Sequence, residues 1–93
     1  MRYEIDFSSD ALGDFKTLDA RWKATIRSAL EAHLRHQPEL ASKSRIKRLR
    51  DMDHPQYRLR VDDMRVFYDV RDDRVEILGI VPKDRVEEWL DNF

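Results

Sequence analysis

Three arginines in one short stretch of the chain could hold an anion. Residues 57–61 alternate apolar and basic side chains, and this pattern is typical of a strand with one buried face from which Arg58 and Arg60 project. An Asp-Asp pair at 62–63 follows, and if it forms a tight turn, Arg60 lies directly opposite Arg65. Like charges that face each other across a strand pair are destabilising. We therefore interpret the arrangement as a site for an anion bound between guanidinium groups.

Basic residues continue on the N-terminal side of this stretch. Residues 43–60 hold seven Lys and Arg side chains against two Asp, although the net charge of the whole chain is only −1. Such a segment could contact a polyanion, and its candidate binding residues are Lys47, Arg48 and Arg50. The alternative is a solvated strand surface with a mobile basic loop, which charge clustering alone favours.

The histidines offer a second kind of chemistry. His33 and His36 stand three residues apart on a predicted helix, but no third ligand is evident, so we predict no metal site. His54 precedes Pro55 in a predicted turn beside the basic strand. It could act as an acid or base toward a bound anion, and the simpler interpretation is a turn residue. Only two glycines occur and they form no phosphate-binding loop, so no cofactor is predicted.

The composition indicates one folded domain, residues 1–93, with a modest core. Charged and apolar residues each make up about two-fifths of the chain, which argues against disorder. The absence of cysteine excludes disulfides and thiolate metal sites. No apolar run approaches the ~20 residues that cross a bilayer, and residues 1–7 alternate like a strand rather than a signal peptide. We expect no membrane association and a cytoplasmic location.

Hydrophobic periodicity predicts the elements that position these residues. Strands are predicted at 2–7, 45–52, 56–61, 64–71 and 74–81. Helices are predicted after an N-cap at Ser8 or Ser9, over about 21–36, and from a capping box formed by Asp84 and Glu87. Asp-Asp pairs at 62–63 and 72–73 predict tight hairpins, because aspartate tolerates left-handed backbone.

This order of helix and strand predicts an α+β fold. An N-terminal strand and a two-helix hairpin pack on a twisted antiparallel sheet, and a short helix ends the chain. The last strand is nearly continuous in apolar residues and is therefore predicted to be buried on both faces.

Residues 57–70, Tyr-Arg-Leu-Arg-Val-Asp-Asp-Met-Arg-Val-Phe-Tyr-Asp-Val, resemble the RelE/ParE superfamily of toxin–antitoxin toxins. In that family a tyrosine-led basic strand, a hairpin turn and an Arg-Val-Phe-Tyr-like run follow a strand and a helical hairpin. Residues 80–83, Ile-Val-Pro-Lys, resemble the apolar strand and basic turn that come next. The resemblance implies a small toxin neutralised by a cognate antitoxin that wraps around it.

The resemblance also implies a choice between two targets. RelE-like members are metal-independent ribonucleases that cut mRNA on the ribosome, whereas ParE-like members poison DNA gyrase and lack the ribonuclease residues. Fold alone does not decide between them. Arg58, Arg60 and Arg65 match the positions of the cations that RelE-like enzymes use, and Lys83 lies near the basic turn that supplies another. These four are the candidate catalytic residues.

The C-terminal segment departs from the ribonuclease pattern. RelE-like enzymes usually place a tyrosine or histidine there, and in this chain Trp89 or Leu90 takes its position. Indole cannot transfer a proton near neutral pH, although its ring could stack on an RNA base. Its helical spacing with Val86 and Phe93 equally predicts a packing role. Three functions thus stay open: a ribosome-dependent endoribonuclease, a gyrase inhibitor without catalysis, and a non-toxic homologue that only binds an antitoxin.

Overall fold

A computed structural model describes all 93 residues. The chain forms five strands, three α-helices and one 3-10 turn. In order they are β1 (Glu4–Phe7), α1 (Ser9–Thr17), α2 (Ala20–Leu34), β2 (Ile46–Arg48), β3 (Tyr57–Val61), β4 (Met64–Arg71), β5 (Arg74–Pro82), the 3-10 turn (Lys83–Arg85) and α3 (Val86–Asp91). This is the predicted α+β fold. No helix combines the length and apolar character needed to cross a bilayer.

The strands form a single sheet in the order β1-β5-β4-β3-β2. Strands β2 to β5 pair antiparallel as predicted, whereas β1 runs parallel to β5, with Ile5 opposite Val75. The sheet is therefore mixed. Alternation along residues 2–7 indicates which face of β1 is buried, but it carries no information on the direction in which that strand pairs.

Both Asp-Asp pairs form the predicted hairpin turns. Asp62 and Asp72 have φ angles of 52° and 53°, in the left-handed region that a two-residue hairpin loop needs. The first turn sets the register in which Val61 pairs with Met64, so that Arg60 faces Arg65. The predicted pair of facing arginines is confirmed.

Helices α1 and α2 cover one face of the sheet. The core between them contains 14 buried residues. Tyr68 is fully buried there, stacks on Tyr57 with ring centroids 5.4 Å apart, and donates its hydroxyl hydrogen to the Pro38 carbonyl at 2.6 Å. Burial raises the pKa of the Tyr68 hydroxyl. Tyr68 is thus a core residue.

Side-chain N-caps are present at α1 and α2 but not at α3. Ser8 Oγ accepts from Ala11 N, and Asp19 Oδ1 accepts from Trp22 N at 2.8 Å. The capping box predicted for Asp84 and Glu87 is wrong, since α3 begins without any side-chain cap. Asp84 lies inside the 3-10 turn that precedes the helix, so it does not occupy the N-cap position.

Strand β2 is shorter than the predicted 45–52. Leu49 N still donates to the Gln56 carbonyl at 2.8 Å, but the ladder has ended by that point. Residues 50–54 then turn the chain back toward β3. The apolar side chains of Leu49 and Met52 extend the strand-like pattern into this turn, which explains the error.

One end of β5 extends beyond its parallel neighbour. The last pair of β1 with β5 joins Phe7 to Ile77. Farther along β5, the backbone N–H of Ile80 donates to Asp14 Oδ2 of α1 at 3.1 Å. A side chain of the first helix therefore satisfies a backbone donor that no strand reaches.

Candidate functional site

The sheet face opposite α1 and α2, here named the arginine face, carries Arg58, Arg60 and Arg65. Their sequence neighbours Leu59 and Val66 lie fully buried in the core, so the arginines project to the other side of the strands. Phe67 and Val81 are the buried apolar residues outside the main core, and they form a small apolar patch on the arginine face.

Three of the four predicted catalytic residues meet in one depression on this face. Arg58 of β3, Arg65 of β4 and Lys83 of the 3-10 turn line an open depression of about 460 Å³, together with Asp84 and Val86. The hairpin register brings the two arginines together, and the end of β5 adds the lysine. Arg60 lies beside this group, exposed and outside the depression.

The guanidinium of Arg58 is partly removed from solvent. Its Nε is buried and has no hydrogen-bond partner. Burial, followed by the nearby charges of Arg65 and Arg60, lowers the pKa of Arg58. Arginine nevertheless stays protonated in proteins. Arg58 therefore carries a positive charge that is poorly solvated and unneutralised, and an anion bound in the depression would relieve both conditions.

Arg65 is oriented by the hairpin turn rather than by a carboxylate. Its Nη1 donates to the carbonyl oxygens of Asp62 at 2.8 Å and Met64 at 3.0 Å. Asp69, which lies on the same strand, forms no ion pair with Arg65, because Asp69 bonds to His54 and to the Gln56 backbone. The turn thus holds the Arg65 guanidinium in place without neutralising its charge.

Lys83 is held loosely at the edge of the depression. Its backbone N–H donates to the Asp63 carbonyl at 2.8 Å, and its Nζ lies 3.4 Å from Asp63 Oδ1. The lysine side chain is 60% exposed. An exposed pair of this kind is weak, so the ammonium group can exchange the aspartate for a bound anion.

The structure divides the candidate RNA-binding residues of β2 between two faces. Lys47 pairs with Arg58 and so shares the arginine face, whereas Arg48 pairs with Tyr57 and lies on the other side. The Arg48 guanidinium donates to the Gln56 carbonyl at 2.7 Å and sits 5.2 Å from the Tyr57 ring centroid. Contacts within the protein occupy Arg48. Arg50 is exposed in the turn after β2.

Trp89 packs on the apolar patch of the arginine face. Its ring stacks on Phe67 with centroids 4.7 Å apart and lies 4.8 Å from the Phe93 centroid. Gly79 makes room for it, because a Cβ at that position would come within 2.3 Å of Trp89 Cζ2. The indole therefore anchors α3 to the sheet, in agreement with the packing interpretation of its spacing.

The arginine face also carries a histidine–carboxylate contact, which the sequence pattern does not predict. His54 Nδ1 is 2.6 Å from Asp69 Oδ2, and Asp69 Oδ1 accepts from Gln56 N at 2.8 Å. The pairing of Tyr57 with Tyr68 would have indicated this proximity, since it places Asp69 next to residue 56. No group of three or more His, Cys, Asp or Glu side chains is arranged to hold a metal ion.

Facing arginines occur at both hairpins. Arg71 and Arg74 pair across the second Asp-Asp turn as Arg60 and Arg65 do across the first. Unlike the first pair, the second has a carboxylate, because Arg74 Nη1 donates to Asp6 Oδ2 of β1 at 2.7 Å. Only the first pair lies beside other cations, and neither of its arginines has a carboxylate partner.

Solved structures of toxin–antitoxin proteins share this fold. The toxin–antitoxin complex RelBE2 from Mycobacterium tuberculosis aligns with a TM-score of 0.73 at 23% identity, covering 88% of this chain and 99% of that one. The archaeal RelE–RelB complex from Pyrococcus horikoshii aligns with a TM-score of 0.67 at 24% identity, covering 91% and 99%. The YoeB dimer from Staphylococcus aureus aligns with a TM-score of 0.66 at 23% identity, covering 87% and 97%.

The solved structures show the fold, and a comparison with family sequence models shows the family. No curated protein matches the chain. The sequence model of the family described as ParE toxin of type II toxin–antitoxin systems matches residues 5–87, which is nearly the whole chain. That match includes β2 to β5, all of β1 except Glu4, both turns and the depression. The chain therefore belongs to the ParE toxin family, within the RelE/ParE superfamily of type II toxins.

Proposed function

We propose that this toxin cuts mRNA on the ribosome without a metal ion and thereby inhibits translation. The observation that carries the proposal is the depression lined by Arg58, Arg65 and Lys83, in which the charge of Arg58 is poorly solvated and has no carboxylate partner. The arginines of this depression match the ribonuclease branch of the superfamily, and the proposed setting is the cytoplasm, where translating ribosomes are found.

The cations of the depression suit the transition state of RNA cleavage. When the 2′-hydroxyl attacks the neighbouring phosphate, negative charge accumulates on the pentacovalent phosphorus. Arginine donates two parallel hydrogen bonds to phosphate oxygens, and a partly desolvated site strengthens them. Arg58 and Arg65 would contact these oxygens, with Arg60 and Lys83 at the rim. Lys47 and the exposed Arg50 would hold the flanking RNA backbone.

A cognate antitoxin is the proposed protein partner. The fold neighbours include toxins in complex with their antitoxins, the RelB–RelE complexes among them. An antitoxin that neutralises this chain would cover the arginine face or block its access to the ribosome. We propose no cofactor for the reaction.

The test is cleavage of a message during translation. Purified toxin is added to translating ribosomes, and cut sites are mapped by primer extension for the wild type, Arg65→Ala and the control Arg71→Ala. We expect the wild type and Arg71→Ala to cut, and Arg65→Ala to cut about 10²- to 10³-fold more slowly, the usual effect of removing one transition-state donor. Uncut message at a normal rate of translation would contradict the proposal.

Inhibition of DNA gyrase is a second candidate. It is favoured by the family match to ParE toxins and by the C-terminal segment, where Trp89 packs on Phe67 and supplies no proton-transfer group. Supercoiling and DNA-cleavage assays with purified gyrase test it directly. Gyrase that is unaffected at high toxin concentration would reject this candidate.

A further inference from the structure

We propose that His54, oriented by Asp69, is the base that takes the proton of the RNA 2′-hydroxyl. This inference rests on the proposed ribonuclease function. That function needs a group able to accept a proton, and the arginines cannot supply one because they stay protonated. In the C-terminal segment the indole of Trp89 is packed on the sheet and cannot transfer protons. Lys83 and Asp84 line the depression as an exposed cation and an exposed carboxylate, without a partner that would orient either as a base. Histidine accepts and donates protons readily in enzymes.

The His54–Asp69 contact has the geometry of an oriented base. Asp69 Oδ2 lies 2.6 Å from His54 Nδ1, while Asp69 Oδ1 accepts from the Gln56 backbone at 2.8 Å. Because both carboxylate oxygens are engaged, the aspartate is fixed and in turn fixes the imidazole ring. A proton on Nδ1 donates to the carboxylate, which leaves Nε2 as the acceptor nitrogen.

The solvent exposure of His54 and Asp69 differs in the way that an oriented base requires. The Asp69 side chain is only 18% exposed, whereas the His54 side chain is 58% exposed. The orienting carboxylate is therefore shielded, and the imidazole is open to a large substrate.

His54 and the arginines share one face of the sheet. Arg65, Phe67 and Asp69 stand two residues apart along β4 and therefore lie on the same face. Val66 and Tyr68 between them lie in the core. On the neighbouring strand Arg58 faces Phe67 and stands two residues, about 7 Å, from Gln56. The Gln56 backbone contacts the carboxylate that holds His54. An RNA strand that lies along β3 and continues past its start would pass from Arg58 to His54.

The proposed step balances in atoms and charge. Nε2 of His54 removes the proton from the 2′-hydroxyl, and the 2′-oxygen forms a bond to the adjacent phosphorus. The bond from phosphorus to the 5′-oxygen breaks, and that oxygen takes a proton from water. The products are a 2′,3′-cyclic phosphate and a 5′-hydroxyl. The imidazolium then returns its proton to the hydroxide that the water left.

The experiment compares His54→Gln with the control His36→Gln in the translating-ribosome assay. His36 is also exposed, and its Nδ1 lies 3.2 Å from the Met1 carbonyl oxygen rather than beside a carboxylate. We expect His54→Gln to lower the single-turnover cleavage rate about 10²-fold or more, as loss of a general base does. His36→Gln should cleave at the wild-type rate, and both variants should keep the wild-type melting curve. Added imidazole should partly restore cleavage by His54→Ala but not by Arg65→Ala.

Asp69 is a positioning residue in this scheme, and its test separates orientation from folding. Asp69→Asn should slow cleavage less than His54→Gln, and the double variant should cleave no more slowly than His54→Gln alone, because the two residues act as one unit. A purely structural role for Asp69 would make the two losses multiply.

The outcomes distinguish this inference from the proposed function. Wild-type cleavage by His54→Gln, with Arg65→Ala still impaired, overturns the role of His54 and leaves the ribonuclease proposal intact. Multiplying losses in the double variant overturn the orienting role of Asp69. A wild-type protein that leaves every message uncut overturns the ribonuclease proposal and the role of His54 together.

Discussion

The two hairpins of this protein share an Asp-Asp turn with facing arginines, and they differ in their surroundings. Each places an arginine on either side of an Asp-Asp turn, and each turn begins with a left-handed aspartate. At the second hairpin Arg74 bonds to Asp6, and Asp69 and Glu76 line the same shallow surface. At the first, no carboxylate pairs with Arg60 or Arg65. Facing arginines alone therefore do not mark an anion site, and the absence of a neutralising carboxylate distinguishes the two.

Binding of inorganic phosphate should separate the hairpins most clearly. Because no carboxylate pairs with Arg60 or Arg65 at the first hairpin, phosphate should raise the free energy of unfolding of the wild type, by about 1.4 kcal/mol at ten times Kd. Arg65→Gln should lose most of this gain, and the control Arg74→Gln should keep it. Thermal melts with phosphate or chloride at matched ionic strength measure the effect. Equal loss in both variants would show that the hairpins bind anions alike.

Removal of the Arg58 charge should stabilise the fold. Burial and the neighbouring arginines lower the pKa of Arg58, so the charged guanidinium opposes folding at every pH below that pKa, including neutral pH. We expect Arg58→Met to raise the free energy of unfolding by about 0.5 kcal/mol, within the range of surface substitutions. Urea denaturation of this variant and of Arg71→Met tests the difference. A loss of stability in Arg58→Met would identify Arg58 as a structural residue.

Removal of the Asp6 carboxylate should make the second hairpin resemble the first. Asp6→Asn leaves Arg71 and Arg74 facing each other without a partner, so a slight fall in Tm is expected, smaller than the change in Arg58→Met because the pair is exposed. The variant should also gain weak phosphate binding. An unchanged response to phosphate would mean that the shape of the first depression matters more than its charge.

The sequence predicted the first hairpin and its register because the relevant information is local. Alternation defines the faces of β3, and aspartate tolerates the left-handed backbone of a two-residue turn, so Arg60 had to meet Arg65. The same register brings Arg58 and Arg65 together, and the end of β5 places Lys83 beside them.

The contacts that separate the hairpins come from pairing between distant parts of the chain. Asp6 reaches Arg74 across 68 residues because β1 joins β5 in parallel, and alternation does not specify that direction. Arg48 contacts Gln56 and Tyr57 because β2 ends at that residue. The apolar residues after Arg48 continue the strand pattern, so the sequence does not show where the strand ends. The contact of His54 with Asp69 requires the turn at 50–54 to return the histidine to β4.

The bond from Ile80 N to Asp14 affects which chains could pair with this edge of the sheet. Beyond Ile77, β5 has no strand on its β1 side, and an open apolar edge of this kind is where a second chain can add a strand and begin a fibre. Asp14 occupies a backbone donor of that edge with a charged side chain, at 3.1 Å. A second chain could therefore add a strand at this position only by displacing the Asp14 carboxylate.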